Sequence, residues 1–320
     1  GEYVIGTFNL LLIIIGCQYQ RKFYLIFFKR MLEVDLNLLK CEIIPDYGST
    51  QLFLRRSIFA YAIFFTSVIL VDFLYNHMAA DSFIRSSTVY TVPNIISTLA
   101  LTQYAMVLHF IRLKFKSINA ILKRLKNEKE LKGSEKVFVL SHRKNATERI
   151  LAILRKQHAE LCRLVELLNE SFGVLIVLIL VAAYVILSIQ FYAFYKFTEG
   201  FEETEIWLTL YTILWVVLHG GKVLLILYPI NDVTDESKKT GHFIYEIDIA
   251  ENEPTVVYAL EKFAEQLLQE TSPPNALRVI NLDLTITGTM FGMLVTFLVI
   301  LIQFDASSRE QRKVFANATN

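Results

Sequence analysis

The residues of this chain that could do chemistry are polar groups set inside apolar runs, where a polar side chain is costly and needs a reason. Asp72 is the one acid between positions 54 and 76. Asn94, Ser97, Thr98, Thr102 and Gln103 punctuate 88–111, and Gln190, Tyr192 and Tyr195 lie near the end of 172–197. Trp207, Tyr211 and Trp215 recur at i, i+4 and i+8, one face of a helix, with Thr212 beside them. Groups of these kinds could hold a small polar molecule, with rings covering its CH faces and hydroxyls, amides and a carboxylate bonding its polar edge. Each also has a plainer use: hydrogen bonds between helices for the Asn94–Gln103 set, an interfacial carboxylate for Asp72, an aromatic belt for Trp207. Ion passage is a second possible chemistry. Thr285, Thr289, Gly292, Thr296 and Gln303 draw one narrow stripe along 284–304, a run otherwise filled by Leu, Ile, Val, Met and Phe. The stripe is either a packing seam, with Gly288 and Gly292 letting helices approach, or the wall of a water-filled path.

Other chemistries find no support. The three cysteines have no zinc spacing and form no disulfide framework. Paired carboxylates and histidine clusters are missing from the apolar runs, so neither an enzyme nor a cofactor or metal site is expected. His219-Gly-Gly-Lys222 interrupts an apolar run without further ligands placed for it. Lys222 is expected to snorkel to the nearer interface, and Gly220-Gly221 to mark close packing or a bend. The net charge of +1 gives no reason to expect a nucleic-acid partner.

The elements that position these residues are membrane helices. With 54% hydrophobic residues and a mean hydropathy of +0.43, the chain is not an ordinary soluble domain. Six apolar spans stand out: 3–19, 54–76, 88–111, 172–197, 205–228 and 284–304. The last is long enough to cross the ~30 Å hydrocarbon layer. The first residue falls inside an apolar run without a cleavable signal, so upstream residues are expected to be missing. Arg21, Lys22, Lys29 and Arg30 follow the first span, and Arg112, Lys114, Lys116, Lys123 and Arg124 follow the third. The connectors 77–87 and 197–205 are poor in positive charge. The resulting topology puts residue 1 and the C-terminus outside and the 112–163 and 229–283 segments inside. Apolar periodicity predicts one continuous helix from Ala146 into the 172–197 span, and an amphipathic helix over 255–269 that Pro273-Pro274 would end. Pro93 is expected to bend its helix, and Lys126–Arg143 to be a charged, mobile loop. Four regions follow: 1–252, spans and extensions around an outer pocket; 253–283, a cytoplasmic anchor helix; 284–304, a pore helix; 305–320, an extracellular tail.

Thr296–Phe304, TFLVILIQF, resembles the closing signature of the insect gustatory receptors, a Thr and Tyr, an apolar run, then Gln-Phe. Phe297 stands where that signature has Tyr. His158–Cys162 (HAELC) and Leu168–Gly173 (LNESFG) are similar to the family's approach to its fifth helix, Phe115–Asn119 (FKSIN) to the cytoplasmic end of its fourth, and Asp35-Leu36 to the segment after its second. The resemblance implies an all-α integral membrane protein with seven transmembrane helices, six of them visible here, in an inverted topology. It further implies a homotetramer, or a heteromer with related chains, whose last helices surround a central pore. It would be a multi-pass plasma-membrane receptor, N-terminus cytoplasmic in the full protein, that is itself a cation channel opened by a small tastant. The ending and the SFG stretch are nearest the fructose-responsive branch, which makes a sugar the expected ligand. Tyr192 and Trp215 would match its pocket residues, while Gln190 and Thr212 stand where Thr and Gln are expected. A bitter-compound or temperature-responsive member of the same family is the alternative. A G-protein-type receptor would want Asp-Arg-Tyr after a third helix and Asn-Pro-x-x-Tyr in the last, and this chain has neither. On this reading Asp72, Asn94, Thr98, Gln190, Tyr192, Tyr211, Thr212 and Trp215 line the ligand pocket. Thr285, Thr289, Gly292, Thr296 and Gln303 line the pore, Phe304 is the gate, and Asp305 an anionic mouth that concentrates cations.

Overall fold

Seven α-helices carry the described chain: α1 (Glu2–Leu39), α2 (Tyr47–Met78), α3 (Val92–Glu130), α4 (Leu140–Glu199), α5 (Ile206–Glu246), α6 (Pro254–Glu270) and α7 (Thr285–Ala318). The computed structural model describes residues 2–41, 47–78, 84, 87–130, 140–199, 206–247, 254–270, 275–276 and 280–318. The side chains of 2–15, 17–19, 47, 49, 78, 89, 127–130, 140–146, 197–199, 206–208, 270, 275–276, 280–281, 309–310 and 312–318 lie outside that description. A two-residue antiparallel ladder, Asn275–Ala276 against Ile280–Asn281, stands between α6 and α7. Five helices, α2, α3, α4, α5 and α7, are long and apolar enough to cross a membrane. The span expected at 3–19 lies in the first half of α1. Trp207 and Pro273-Pro274 fall outside the described side chains or residues.

The helices run further than the apolar spans that announced them. α4 has 60 residues, about 90 Å at ~1.5 Å per residue, three times the hydrocarbon thickness. Its continuity from 146 into 172–197 agrees with the periodicity. α3 continues to Glu130 and α4 begins at Leu140, so Lys126–Glu130 and Leu140–Arg143 are helical rather than loop. Lys126 bridges to Glu246 of α5 at 3.2 Å. α5 passes through Pro229 without ending; the ring removes one backbone bond, a loss a buried helix can absorb. α7 likewise continues past Asp305 to Ala318 where a tail was expected. Pro93 stands near the start of its span rather than within it. It lies in the first turn of α3, directly after a π-helical turn at Ser87–Thr91, where its missing N–H disturbs least.

α3 packs most extensively on α5, and α1 on α4. The apolar core sits toward the end of the bundle where α6 folds back against α4: Phe23, Phe27, Leu108, Phe115, Leu164, Phe172, Ile226 and Phe263 are buried there. Polar bonds stitch this end together. Tyr104 donates to Asn169 Oδ1 at 2.9 Å, joining α3 to α4. Asn119 donates to the Glu236 carbonyl and carboxylate, both at 2.9 Å, and accepts from Thr240, joining α3 to α5. Lys114–Asp35, Arg112–Asp232 and Arg30–Glu160 pair helices across the bundle at 2.5, 2.8 and 2.8 Å. The His158 ring packs edge-on to Phe115 and Phe263, and its Nε2 shares a hydrogen bond with Ser237 Oγ.

Candidate ligand site and pore helix

At the other end of the bundle, α2, the π turn, α3 and α5 meet around two polar nests and a ladder of rings. Asp72 of α2 is 1% exposed, so it does not reach an interface. Its carboxylate accepts from Asn76 Nδ2 at 2.9 Å, Ser87 Oγ at 3.2 Å and Thr91 Oγ1 at 2.8 Å. One turn deeper on α3, Asn94 Oδ1 and Ser97 Oγ accept from Lys222 Nζ of α5 at 2.5 and 2.8 Å. Thr98 turns its hydroxyl to the Asn94 carbonyl, and Thr212 is buried beside the rings.

The ladder runs along α5. Tyr211 stacks on Tyr75 of α2, with centroids 4.6 Å apart and planes 17° apart. Trp215 meets Tyr211 edge-on at 5.7 Å and stacks on His219 at 5.5 Å. Trp215 is buried with Phe65 and Leu218 in a small apolar cluster separate from the main core. The aromatic spacing seen at 207, 211 and 215 therefore continues to 219, and Lys222 follows three residues on. The sequence reading named both residues but placed neither in the site. The extension of the i+4 series to His219 was the available signal. Lys222 does not snorkel: it is buried, and Asn94 and Ser97 hold its ammonium inside the bundle. Gly220 and Gly221 make no close approach within the protomer: no atom outside the helix backbone lies within 4 Å of where a Cβ would stand, and the helix continues through both.

Asp72, Asn94, Thr98, Tyr211, Thr212 and Trp215 thus gather on α2, α3 and α5. Gln190 and Tyr192 sit on α4. Tyr192 packs against Tyr195 and under the Lys196 ammonium, and Lys196 pairs with Asp305 of α7 at 2.5 Å. Tyr192 accordingly neighbours α7 around Asp305, and the Asp305 charge is offset by its own protomer.

α7 leans chiefly on α4. Only 6% of its most apolar window is buried inside the protomer, against 44% for α3, α4 and α5. Thr285, Thr289, Gly292, Thr296, Gln303 and Phe304 are all exposed. Thr289 and Thr296 donate to the carbonyls of Thr285 and Gly292, which leaves each hydroxyl oxygen able to accept from outside.

A family model described as 7tm chemosensory receptor matches residues 1–308. The chain belongs to this family. Family members are receptors rather than enzymes, and this one is a multi-pass membrane protein by its helices. The gustatory receptor for sugar taste 43a of Drosophila melanogaster is 28% identical over half of this chain and 37% of its own length. The putative gustatory receptor 59e of the same fly is 24% identical over 73% of this chain and 61% of its own length. The chain thus spans about a third to three fifths of the length of these relatives. The solved insect olfactory receptor OR5 from Machilis hrabei shares the fold, with a TM-score of 0.54 at 11% identity, covering 95% of this chain and 88% of the other. The residues that carried the resemblance in sequence now have places: Asp35, Phe115, Asn119, His158, Asn169 and Phe172 hold the helices together at the core end, and the TFLVILIQF run lies on exposed α7.

Proposed function

We propose that the protein is a subunit of a ligand-gated, non-selective cation channel of the plasma membrane, opened by a small tastant and assembled around α7. The observation that carries this reading is the exposure of α7. A helix that buries almost none of its apolar window in its own protomer, yet keeps a polar stripe of Thr285, Thr289, Gly292, Thr296 and Gln303, needs both a greasy partner and a wet one. Four copies about one axis meet both needs: the stripe faces water, and the apolar flanks face neighbours and lipid. Heteromers with related chains satisfy the same geometry.

The α2–α3–α5 site is the pocket in this reading, with Trp215 and Tyr211 as walls and Asn94 and Thr98 as polar edges. Gln190 and Tyr192 of α4 serve the end of α7 that meets Lys196 and Asp305. A sugar is the tastant class the relatives favour, since one of them is named a receptor for sugar taste. The positive charges of 20–56 and 112–163 favour a cytoplasmic core end, which places the pocket and the C-terminus outside and the N-terminus of the full protein inside. The test is a recording from cells expressing only this protein during perfusion with fructose, glucose, sucrose and a bitter panel. Ligand-evoked cation current supports the reading; surface-expressed protein that never conducts overturns it.

A further inference from the structure

Lys222 is 3% exposed, and its described partners are both neutral, an amide oxygen and a hydroxyl. An ammonium carries three N–H groups, so one is unused. Among the described residues no carboxylate lies within ion-pairing distance of it. The buried acid Asp72 of α2 is bonded to Thr91, about 4.5 Å of helical rise from Asn94. Asp72 is itself taken up by Asn76, Ser87 and Thr91. His219 adds a second open valence. It is 2% exposed, its Nε2 has no hydrogen-bond partner, and its ring is fixed by stacking on Trp215. At i and i+3 the two side chains share one face of α5. A buried cation without a countercharge and a buried ring nitrogen without a partner are each expensive, and here they occur together beside an indole.

We propose that this site takes a small molecule bearing a carboxylate. One carboxylate oxygen accepts from Lys222 Nζ and the other from His219 Nε2–H, while the apolar body of the ligand lies along Trp215. The inference rests on reading the α2–α3–α5 region as the ligand site, and it sets an anion with an apolar body in place of the sugar as the molecule that site takes. α2 is the wall able to admit such a ligand: only 11% of its apolar window is buried, and it meets α5 at the Phe65–Trp215–Leu218 cluster and the Tyr75–Tyr211 stack. A neutral polyol would leave the Lys222 charge uncompensated, whereas a carboxylate supplies both the charge and two acceptors.

The experiment uses the full chain in lipid nanodiscs, with quenching of tryptophan fluorescence as the signal. The probes are benzoate against benzamide and benzyl alcohol, and hexanoate against hexanamide. Each carboxylate is expected to bind saturably and at least about tenfold more tightly than its neutral analogue, a difference of ~1.4 kcal/mol. Lys222→Met should bring the pair to within about threefold, and Lys222→Arg should keep part of the preference. Lys222→Gln, which can still bond Asn94 and Ser97, covers the case in which Lys222→Met does not fold. Equal binding of carboxylate and amide, no saturable binding of either, or a preference that survives loss of the Lys222 charge overturns the inference. The outcome is separable from the channel reading: sugar-evoked current without carboxylate binding removes this inference alone, and carboxylate binding without any evoked current removes the channel reading alone.

Discussion

Asp72→Ala should loosen the junction between α2 and α3 before it changes anything else. The carboxylate receives three side-chain hydrogen bonds, from its own helix, from the π turn and from the last residue of that turn. Interhelical hydrogen bonds in membrane proteins contribute on average ~0.6 kcal/mol and at most ~1.7. Losing the two that Ser87 and Thr91 make to it, together with the Asn76 bond inside α2, with the Thr91 hydroxyl left buried while the Asn76 amide keeps the Asp72 carbonyl, amounts to about 2–5 kcal/mol. Asp72→Asn keeps the shape and one accepting oxygen, so its cost should be near 1–2 kcal/mol on the same scale. The assay is unfolding of the purified receptor in mixed micelles with increasing SDS, followed by tryptophan fluorescence, beside surface expression in cells. The expected order of stability is wild type, then Asp72→Asn, then Asp72→Ala, with reduced surface expression in the last. Should Asp72→Ala unfold like wild type while the agonist response disappears, the carboxylate is a ligand acceptor and the reasoning from its hydrogen bonds fails.

Trp215→Ala should abolish or shift the agonist response by tenfold or more at normal surface expression; an unchanged dose–response curve removes Trp215 from the site. Phe304→Ala should leave a leak without agonist, since a bulky apolar ring that stops ions by dewetting is lost, and Gln303→Ala should reduce evoked current. A silent Phe304→Ala channel that opens normally moves the gate to the Val299–Ile300 level of the same helix. Lys196→Glu should separate α4 from α7 at their shared end and change the agonist concentration for half-maximal current, and Lys196→Glu with Asp305→Lys should restore it; independent effects of the two changes would deny the link. An epitope tag inserted near Lys126 should stain only permeabilised cells, and staining of intact cells would invert the orientation.

Much of this protein is written in its composition. Runs such as 284–304 and 172–197 can only be satisfied by lipid or by other apolar surfaces, and in lipid only a helix bonds all of its own backbone. That fixes membrane helices without any tertiary information. The same local rule carries the α4 periodicity across the membrane boundary and the amphipathic face of α6. What the chain could not disclose is which polar groups meet. Lys222 looks like a side chain able to snorkel, and only the close packing of α3 on α5 puts Asn94 and Ser97 around its ammonium and closes the way to water. Asp72 reads as an interfacial acid until the π turn brings Ser87 and Thr91 onto it. Tyr192 and Trp215 share a chemistry but not a place, because α4 presents Tyr192 toward Lys196 and α7 while α5 presents Trp215 toward α2. Helix formation depends on residues within four positions of one another, which a sequence displays. The pairing of polar side chains depends on the rotation and depth of helices 65 to 128 residues apart in the chain, as in Tyr104–Asn169 and Lys222–Asn94, and only the folded bundle sets those.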